Sequence, residues 1–206
     1  METVKNLMFD LGGVIMDICR ANCVAAFAAL GMKDADSFFG EYKQTGPFLQ
    51  LEAGEIDPAT FRERMRRLIT ATVSDADLDA ALNRFLTGIP VHRLRALEAL
   101  KGRYGIYLLS NTNPIMWNSR IAEQFRADGH DREYYFDGML TSFEARAIKP
   151  APAIFEEAIA RFGIKPEETL FLDDSRSNLD GAAALGFKTM LVEPGAEFET
   201  LLASKL

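Results

Sequence analysis

The run Leu7-Met8-Phe9-Asp10-Leu11-Gly12-Gly13-Val14 sets a carboxylate at the end of a short apolar stretch, with two glycines just behind it. An apolar run broken by Asp and then Gly-Gly reads as a buried strand that stops in a sharp turn, since glycine turns the backbone without a Cβ penalty. In an open α/β sheet the C-terminal tip of such a strand is where ligands bind. The turn leaves backbone N–H groups free to face an anion. A carboxylate at that tip can attack a phosphoryl group or hold a metal ion.

The rest of the chain supplies a setting for that tip. From about Asp17 to Pro90 the pattern reads as helices only, with no strand to interrupt them. Ala21 to Leu30 is apolar and helix-forming, and Gly31 stops it. Asp57-Pro58 pairs an N-cap with a proline at the first helical position, and Phe61, Met65, Leu68 and Ile69 then share one face. Ser74 caps a further helix, with Asp77 in its first turn and Leu78, Leu82, Phe85 and Leu86 as its stripe. From Val91 helix and strand alternate. Strands are expected at Ile106 to Leu109, Met139 to Thr141, Leu170 to Leu172 and Met190 to Val192, and a helix over Pro150 to Phe162. That alternation calls for a parallel sheet with helices on both faces, so the fold class is α/β with a small helical subdomain inserted after the first strand.

Three later segments stand where Asp10 stands, each at a strand tip or the start of the next helix. Ser110-Asn111-Thr112-Asn113 follows Leu108-Leu109 and offers phosphate oxygens neutral donors; equally, Thr112 or Asn113 can cap the helix that begins at Pro114. Lys149-Pro150 opens a helix, where a lysine can neutralise phosphate or simply be solvated. Asp173-Asp174 ends Leu170-Phe171-Leu172. Adjacent carboxylates repel unless a cation compensates them, and Mg²⁺ is a hard cation suited to oxygen ligands. One acid would suffice as a helix cap.

In this order and spacing the chain resembles the haloacid dehalogenase superfamily, whose members are mostly Mg²⁺-dependent phosphohydrolases, and the resemblance covers nearly the whole chain. It implies a Rossmann-like core of residues 1–16 and 91–206 and a C1-type helical cap over 17–90, closing on a small phosphorylated metabolite. It implies that Asp10 attacks phosphorus to form an aspartyl-phosphate that water hydrolyses. Ser110, the Asn111 backbone and Lys149 would grip the phosphoryl oxygens. Mg²⁺ would be held by Asp10, the Gly12 carbonyl and Asp174, with Asp173 assisting directly or through water.

One position departs from the pattern. Most phosphatases of the superfamily carry a second Asp two residues after the nucleophile as general acid and base, and here that residue is Gly12. A positioned acid or base is worth ~10²–10⁴-fold in rate. The sequence is similar to a subgroup with glycine at this place that includes sugar-phosphate phosphatases. An anomeric sugar phosphate, whose leaving hydroxyl is relatively acidic, is therefore the expected substrate. Two other readings stay open: a non-catalytic phospholigand-binding or regulatory protein, and a 2-haloacid dehalogenase, which the acidic pair disfavours because it needs no metal.

Composition excludes more than it selects. A net charge of −7 argues against a nucleic-acid partner, and no apolar run approaches membrane-spanning length. The start Met1-Glu2-Thr3-Val4-Lys5 carries no signal pattern, so the chain is expected in the cytoplasm as a monomer or homodimer. Ser204-Lys205-Leu206 spells a peroxisomal address, read only in eukaryotes. Cys19 and Cys23 match no zinc or redox spacing and read as small buried residues on one helix face in a reducing compartment. Arg62, Arg64, Arg66 and Arg67 make a basic run, either a solvated helix face or an attractor for phosphate. Residues from Tyr42 to Glu55, with Gln44, Gln50, Glu52 and Gly54 among them, are the specificity candidates. Asp17 is expected to be structural, Trp117 to pack a helix, and His92 and His130 lie outside every motif.

Overall fold

The computed structural model describes residues 3–39 and 45–203 of the chain. Tyr42, Gln44 and the tripeptide Ser204-Lys205-Leu206 lie outside the described residues. The strands are β1 (Asn6–Phe9), β2 (Asp17–Ile18), β3 (Leu86–Gly88), β4 (Gly105–Ser110), β5 (Gly138–Thr141), β6 (Thr169–Asp173) and β7 (Lys188–Leu191). Five of them form one sheet in the order β5-β4-β1-β6-β7, with every neighbouring pair parallel. Between β2 and β3 run α1 (Arg20–Ala29), α2 (Ala35–Phe38), α3 (Gly46–Glu52), α4 (Pro58–Arg66) and α5 (Asp75–Asn83). After β3 come α6 (Val91–Leu100), α7 (Pro114–Met116), α8 (Ala122–Phe125), α9 (Arg132–Tyr135) and α10 (Ser142–Ala145). The last are α11 (Pro152–Phe162), α12 (Arg176–Ala183) and α13 (Phe198–Ala203).

The period of two along each central strand divides the core. Leu7 and Phe9, Ile106 and Leu108, and Leu170 and Leu172 pack on one face of the sheet, while Met8, Leu109 and Phe171 pack on the other with Ile154 and Phe155 of α11. Both faces are covered, which is why these strands read as unbroken apolar runs. The helical stretch carries its own aromatic centre: Phe48 sits 4.1 Å from Phe39, 5.1 Å from Phe61 and 5.5 Å from Phe27, ring centre to ring centre. Two of its helices, α4 and α5, start where the caps say they should. Asp57 accepts from Thr60 N at 2.7 Å, and Ser74 and Asp77 form a reciprocal capping box. Among the described residues no helix is long and apolar enough to cross a membrane.

Local readings are corrected in three places. Residues 17–90 are not helices only: β2 and β3 form an antiparallel ribbon, pairing Ile18 with Leu86 and Asp17 with Gly88. Leu86 mimicked a helical stripe because it follows Leu82 by four residues, but α5 ends at Asn83. The helix expected from Pro150 opens instead at Pro152, and Lys149-Pro150 is a cis peptide in the preceding loop. Cys23 is buried in α1, but Cys19 is the half-buried residue just before that helix; both are free thiols.

Candidate active site

Strand pairing alone brings the first groups together. Asp10 extends β1 by one residue, its N–H donating to Leu172 O of β6 at 2.8 Å. Ser110 ends β4 on one side and Asp173 ends β6 on the other, so all three stand at one edge of the sheet. Lys149 arrives from the loop before α11. The loop is clamped to β4 in both directions: Lys149 N donates to Asn111 Oδ1 at 2.9 Å, and Asn111 Nδ2 donates to Lys149 O at 3.1 Å. The Lys149 side chain is thereby carried into the interior, where only 3% of the residue is exposed.

Its ammonium then uses three donors. Nζ reaches Asp173 Oδ2 at 2.7 Å, Asp10 Oδ1 at 2.8 Å and Leu109 O at 3.0 Å, which exhausts an –NH₃⁺ group. Asp173 is fully buried, and both its oxygens are taken: Oδ1 accepts from Ser175 N at 2.8 Å and Asn178 Nδ2 at 3.0 Å, and Oδ2 accepts from Lys149. Asp10 Oδ1 also accepts from Leu11 N at 2.7 Å. Gly13 explains the second glycine of the turn. Its φ is +74°, and a Cβ there would come within 2.3 Å of Asp174 Oδ2, so only glycine lets that carboxylate lie against the turn.

Carboxylate oxygens of Asp10, Asp173 and Asp174 all lie within 4.8 Å of one another. Burial pushes the Asp10 carboxyl up, to about 7, with Lys149 opposing the rise and Asp173 and Asp174 adding to it. Burial works against the charged form of Lys149 too, but Asp10 and Asp173 outweigh it and its pKa rises above the ordinary range. Three carboxylates against one ammonium leave an excess of two negative charges when all are ionised. A hard divalent cation matches both that excess and the all-oxygen donor set.

The other predicted residues divide between this cluster and other parts of the fold. Ser110 is buried, and the turn after it is pinned by Ser142, whose Oγ accepts from Thr112 N and donates to Thr112 O, both at 3.0 Å. Asn113 caps α7, accepting from Met116 N at 3.0 Å. Asp10, Gly12, Asn111, Lys149 and Asp174 line one cleft of about 90 Å³ with Glu52 and Phe85 from the helical stretch. Burial alone pushes the Glu52 carboxyl up to about 8. The arginine run is engaged elsewhere: Arg62 with Asp79, Arg66 with Asp75, Arg67 with Glu63 and Arg64 with Gln50. Asp17 pairs with Arg93 at 2.7 Å, His92 lies 3.1 Å from Glu197, and buried Trp117 packs under Arg132. Sequence reasoning did not single out Ser142 or Asn178 as site residues; both are neutral side chains that hold other site groups.

Known proteins are similar to this chain in sequence and in fold. The profile of haloacid dehalogenase-like hydrolases matches residues 4–186. D-ribitol-5-phosphate phosphatase of Bacteroides thetaiotaomicron is 36% identical over 95% of each chain. Glyceraldehyde 3-phosphate phosphatase of Pyrococcus furiosus is 28% identical over all of this chain and 87% of its own length. A wild-type HAD family enzyme of Bacteroides thetaiotaomicron, solved with magnesium and inorganic phosphate, superposes with a TM-score of 0.90 at 38% identity, covering 96% of this chain and 98% of that one. The chain belongs to the haloacid dehalogenase-like hydrolases.

Proposed function

We propose that this chain is a Mg²⁺-dependent phosphatase of small sugar or polyol phosphates that works through an aspartyl-phosphate on Asp10. The observation that carries the reading is the cluster of buried Asp10, Lys149 and Asp173 with half-buried Asp174 at the sheet edge, built around an excess of negative charge. Leu11 N and Lys149 Nζ both hold Asp10 Oδ1, which orients the carboxylate and leaves Oδ2 to attack phosphorus. Asp10, the Gly12 carbonyl and Asp174 would hold Mg²⁺, which supplies compensation for the clustered carboxylates and for charge on the phosphoryl group. Asp173, with its oxygens already engaged, fixes Lys149 and acts on the metal indirectly. Ser110 and the Asn111 N–H bind the phosphoryl oxygens, the Lys149 charge beside them offsets the charge of the phosphoryl group, and water then releases phosphate from Asp10.

Residues 1–16 and 91–206 act in this reading as the catalytic core, and 17–90 as a cap that supplies the second wall of the cleft and excludes water. Ribitol 5-phosphate and glyceraldehyde 3-phosphate, named for the relatives, both carry phosphate on a primary alcohol. They favour a terminal phosphate over the anomeric one suggested by Gly12. A small metabolite is the partner, with neither nucleic acid nor membrane, and the enzyme works in the cytoplasm as a monomer or homodimer.

The test is phosphate release from a panel of terminal and anomeric sugar and polyol phosphates, with Mg²⁺ and with chelator, beside Asp10→Asn. Release that needs Mg²⁺ and vanishes in the variant is the expected result. Phosphate or Mg²⁺ binding with no release from any ester would make the chain a phospholigand-binding protein instead.

A further inference from the structure

Expelling a primary alcohol from phosphorus requires a proton, and attack by water on the acyl phosphate releases one. Among the described residues, four titratable groups line the cleft: Asp10, Lys149, Asp174 and Glu52. Asp10 is the nucleophile. Lys149 has all three donors occupied, and its two carboxylate neighbours favour its charged form. Asp174 lies against the Gly13 turn, beside the other two carboxylates of the cluster. Position 12 offers no side chain. Glu52 remains, the last residue of α3, with no hydrogen bond or ion pair to its carboxyl among the described residues. Burial raises its pKa to about 8, which keeps the acid protonated at neutral pH without any partner.

Resting on the phosphatase reading, we infer that Glu52 is the general acid and base of the reaction, delivered from the helical stretch rather than from the turn after β1. As Asp10 Oδ2 bonds to phosphorus and the bond to the ester oxygen breaks, the Glu52 O–H proton passes to that oxygen and the alcohol leaves neutral. The Glu52 carboxylate then takes a proton from the water whose oxygen bonds to phosphorus, while the phosphorus–Asp10 bond breaks. Glu52 ends as the acid, Asp10 as the carboxylate, and the products are alcohol and hydrogen phosphate. Gly54 holds the donor in place, because α3 turns against α10 so closely there that a Cβ would meet Phe143 O at 2.3 Å.

The experiment uses the full chain with Mg²⁺, Glu52→Gln and two esters, ribitol 5-phosphate and p-nitrophenyl phosphate, whose leaving group departs as an anion. Glu52→Gln should lower kcat for the alkyl ester by ~10²–10⁴-fold with KM little changed. With the aryl ester it should release one equivalent of nitrophenol per enzyme at the wild-type rate and then turn over slowly, as phosphoenzyme accumulates. Adding Gly12→Asp to that variant should restore part of the alkyl rate; the position has room, since a Cβ there lies 3.5 Å from Ile18 Cγ2. Glu52→Asp, which withdraws the carboxyl by one methylene, should give the same pattern more weakly if Glu52→Gln does not fold. A variant that raises only KM, slows the first step of both esters equally, or changes nothing would overturn the inference and leave the phosphatase reading standing. Wild-type enzyme inactive on both esters would overturn the phosphatase reading itself.

Discussion

The two walls of the cleft are built in opposite ways. At the sheet edge every charged group is held by others: Lys149 by Asp10, Asp173 and a carbonyl, and Asp173 by Lys149, Ser175 and Asn178. On the helical wall the Glu52 carboxyl has no hydrogen bond or ion pair among the described residues, and Phe48 of the same helix packs with Phe27, Phe39 and Phe61. One wall fixes its charges by mutual contact. The other presents a single group whose placement depends on how the segment seats. The bonds made to phosphorus belong on the first wall, and the groups that meet the rest of the substrate belong on the second.

Lys149→Met attacks the first wall and should have the largest effect. It leaves buried carboxylates without their ammonium, which costs roughly 3–5 kcal/mol for a broken buried pair. It also removes the positive charge set beside the phosphoryl group, for a loss in kcat on the order of 10²–10³. Because the charge excess grows, Mg²⁺ should raise the melting temperature of the variant more than that of the wild type. Thermal melts with and without Mg²⁺, beside steady-state kinetics, check both parts. An equal Mg²⁺ effect in the two proteins would mean that the carboxylates do not share one cation.

Gly54→Ala attacks the second wall and leaves the first intact. The left-handed φ of +66° costs an alanine ~1–2 kcal/mol, and the methyl group must move α3 away from Phe143. A displacement of about 1 Å can cost up to ~10²-fold in rate. The expected signature is a fall in kcat for alkyl phosphates with Mg²⁺ affinity unchanged, measured by titration calorimetry. Loss of Mg²⁺ affinity would show that the two walls are a single unit.

The same contrast decides what could be read from the sequence. Asp10, Ser110 and Asp173-Asp174 were legible because each interrupts an apolar strand, and a parallel sheet sends all such interruptions to one edge. Lys149 was found for the wrong local reason: Pro150 and Pro152 both suit a first helical turn, and the helix starts at the second. Ser142 and Asn178 left no signal, because a buried hydroxyl or amide that pins a turn looks like any other polar residue until its partners are known. The β2–β3 ribbon was missed because strands of two and three residues carry no period. Glu52 is named among four specificity candidates but not as an acid, since that role depends on which way α3 faces.

The joint between the walls should respond to acid. Arg93 of α6 is buried and donates to Asp17 of β2, to Ile15 O and to Glu197 near the C-terminus. Its hydrogen bonds hold the Glu197 carboxyl down at about 2, against an ordinary 4.5. A carboxyl depressed in the folded state contributes stability in full above its unfolded value, and loses it as pH falls from 4.5 towards 2. Urea midpoints at about pH 6 and about pH 3 should therefore differ more in the wild type than in Arg93→Gln. An identical acid response in the two proteins would remove Glu197 from the account.

The smallest effect is expected from the basic run on α4, and its smallness is the informative part. Arg62 makes a two-point pair with Asp79 at 2.8 and 2.7 Å, and Arg66 pairs with Asp75 while its Nε donates to Val73 O at 3.1 Å. Both arginines thus tie α4 to α5 and to the segment between them. Arg62→Gln with Arg66→Gln should lower stability only slightly, since solvent screens both pairs. It should leave kcat/KM and its dependence on ionic strength where they were, because charges spent on neighbouring carboxylates do not steer a phosphate. A fall in kcat/KM that deepens at low salt would mean that the run attracts substrate after all. The helical wall would then contribute a field as well as a proton, and the contrast between the two walls would narrow.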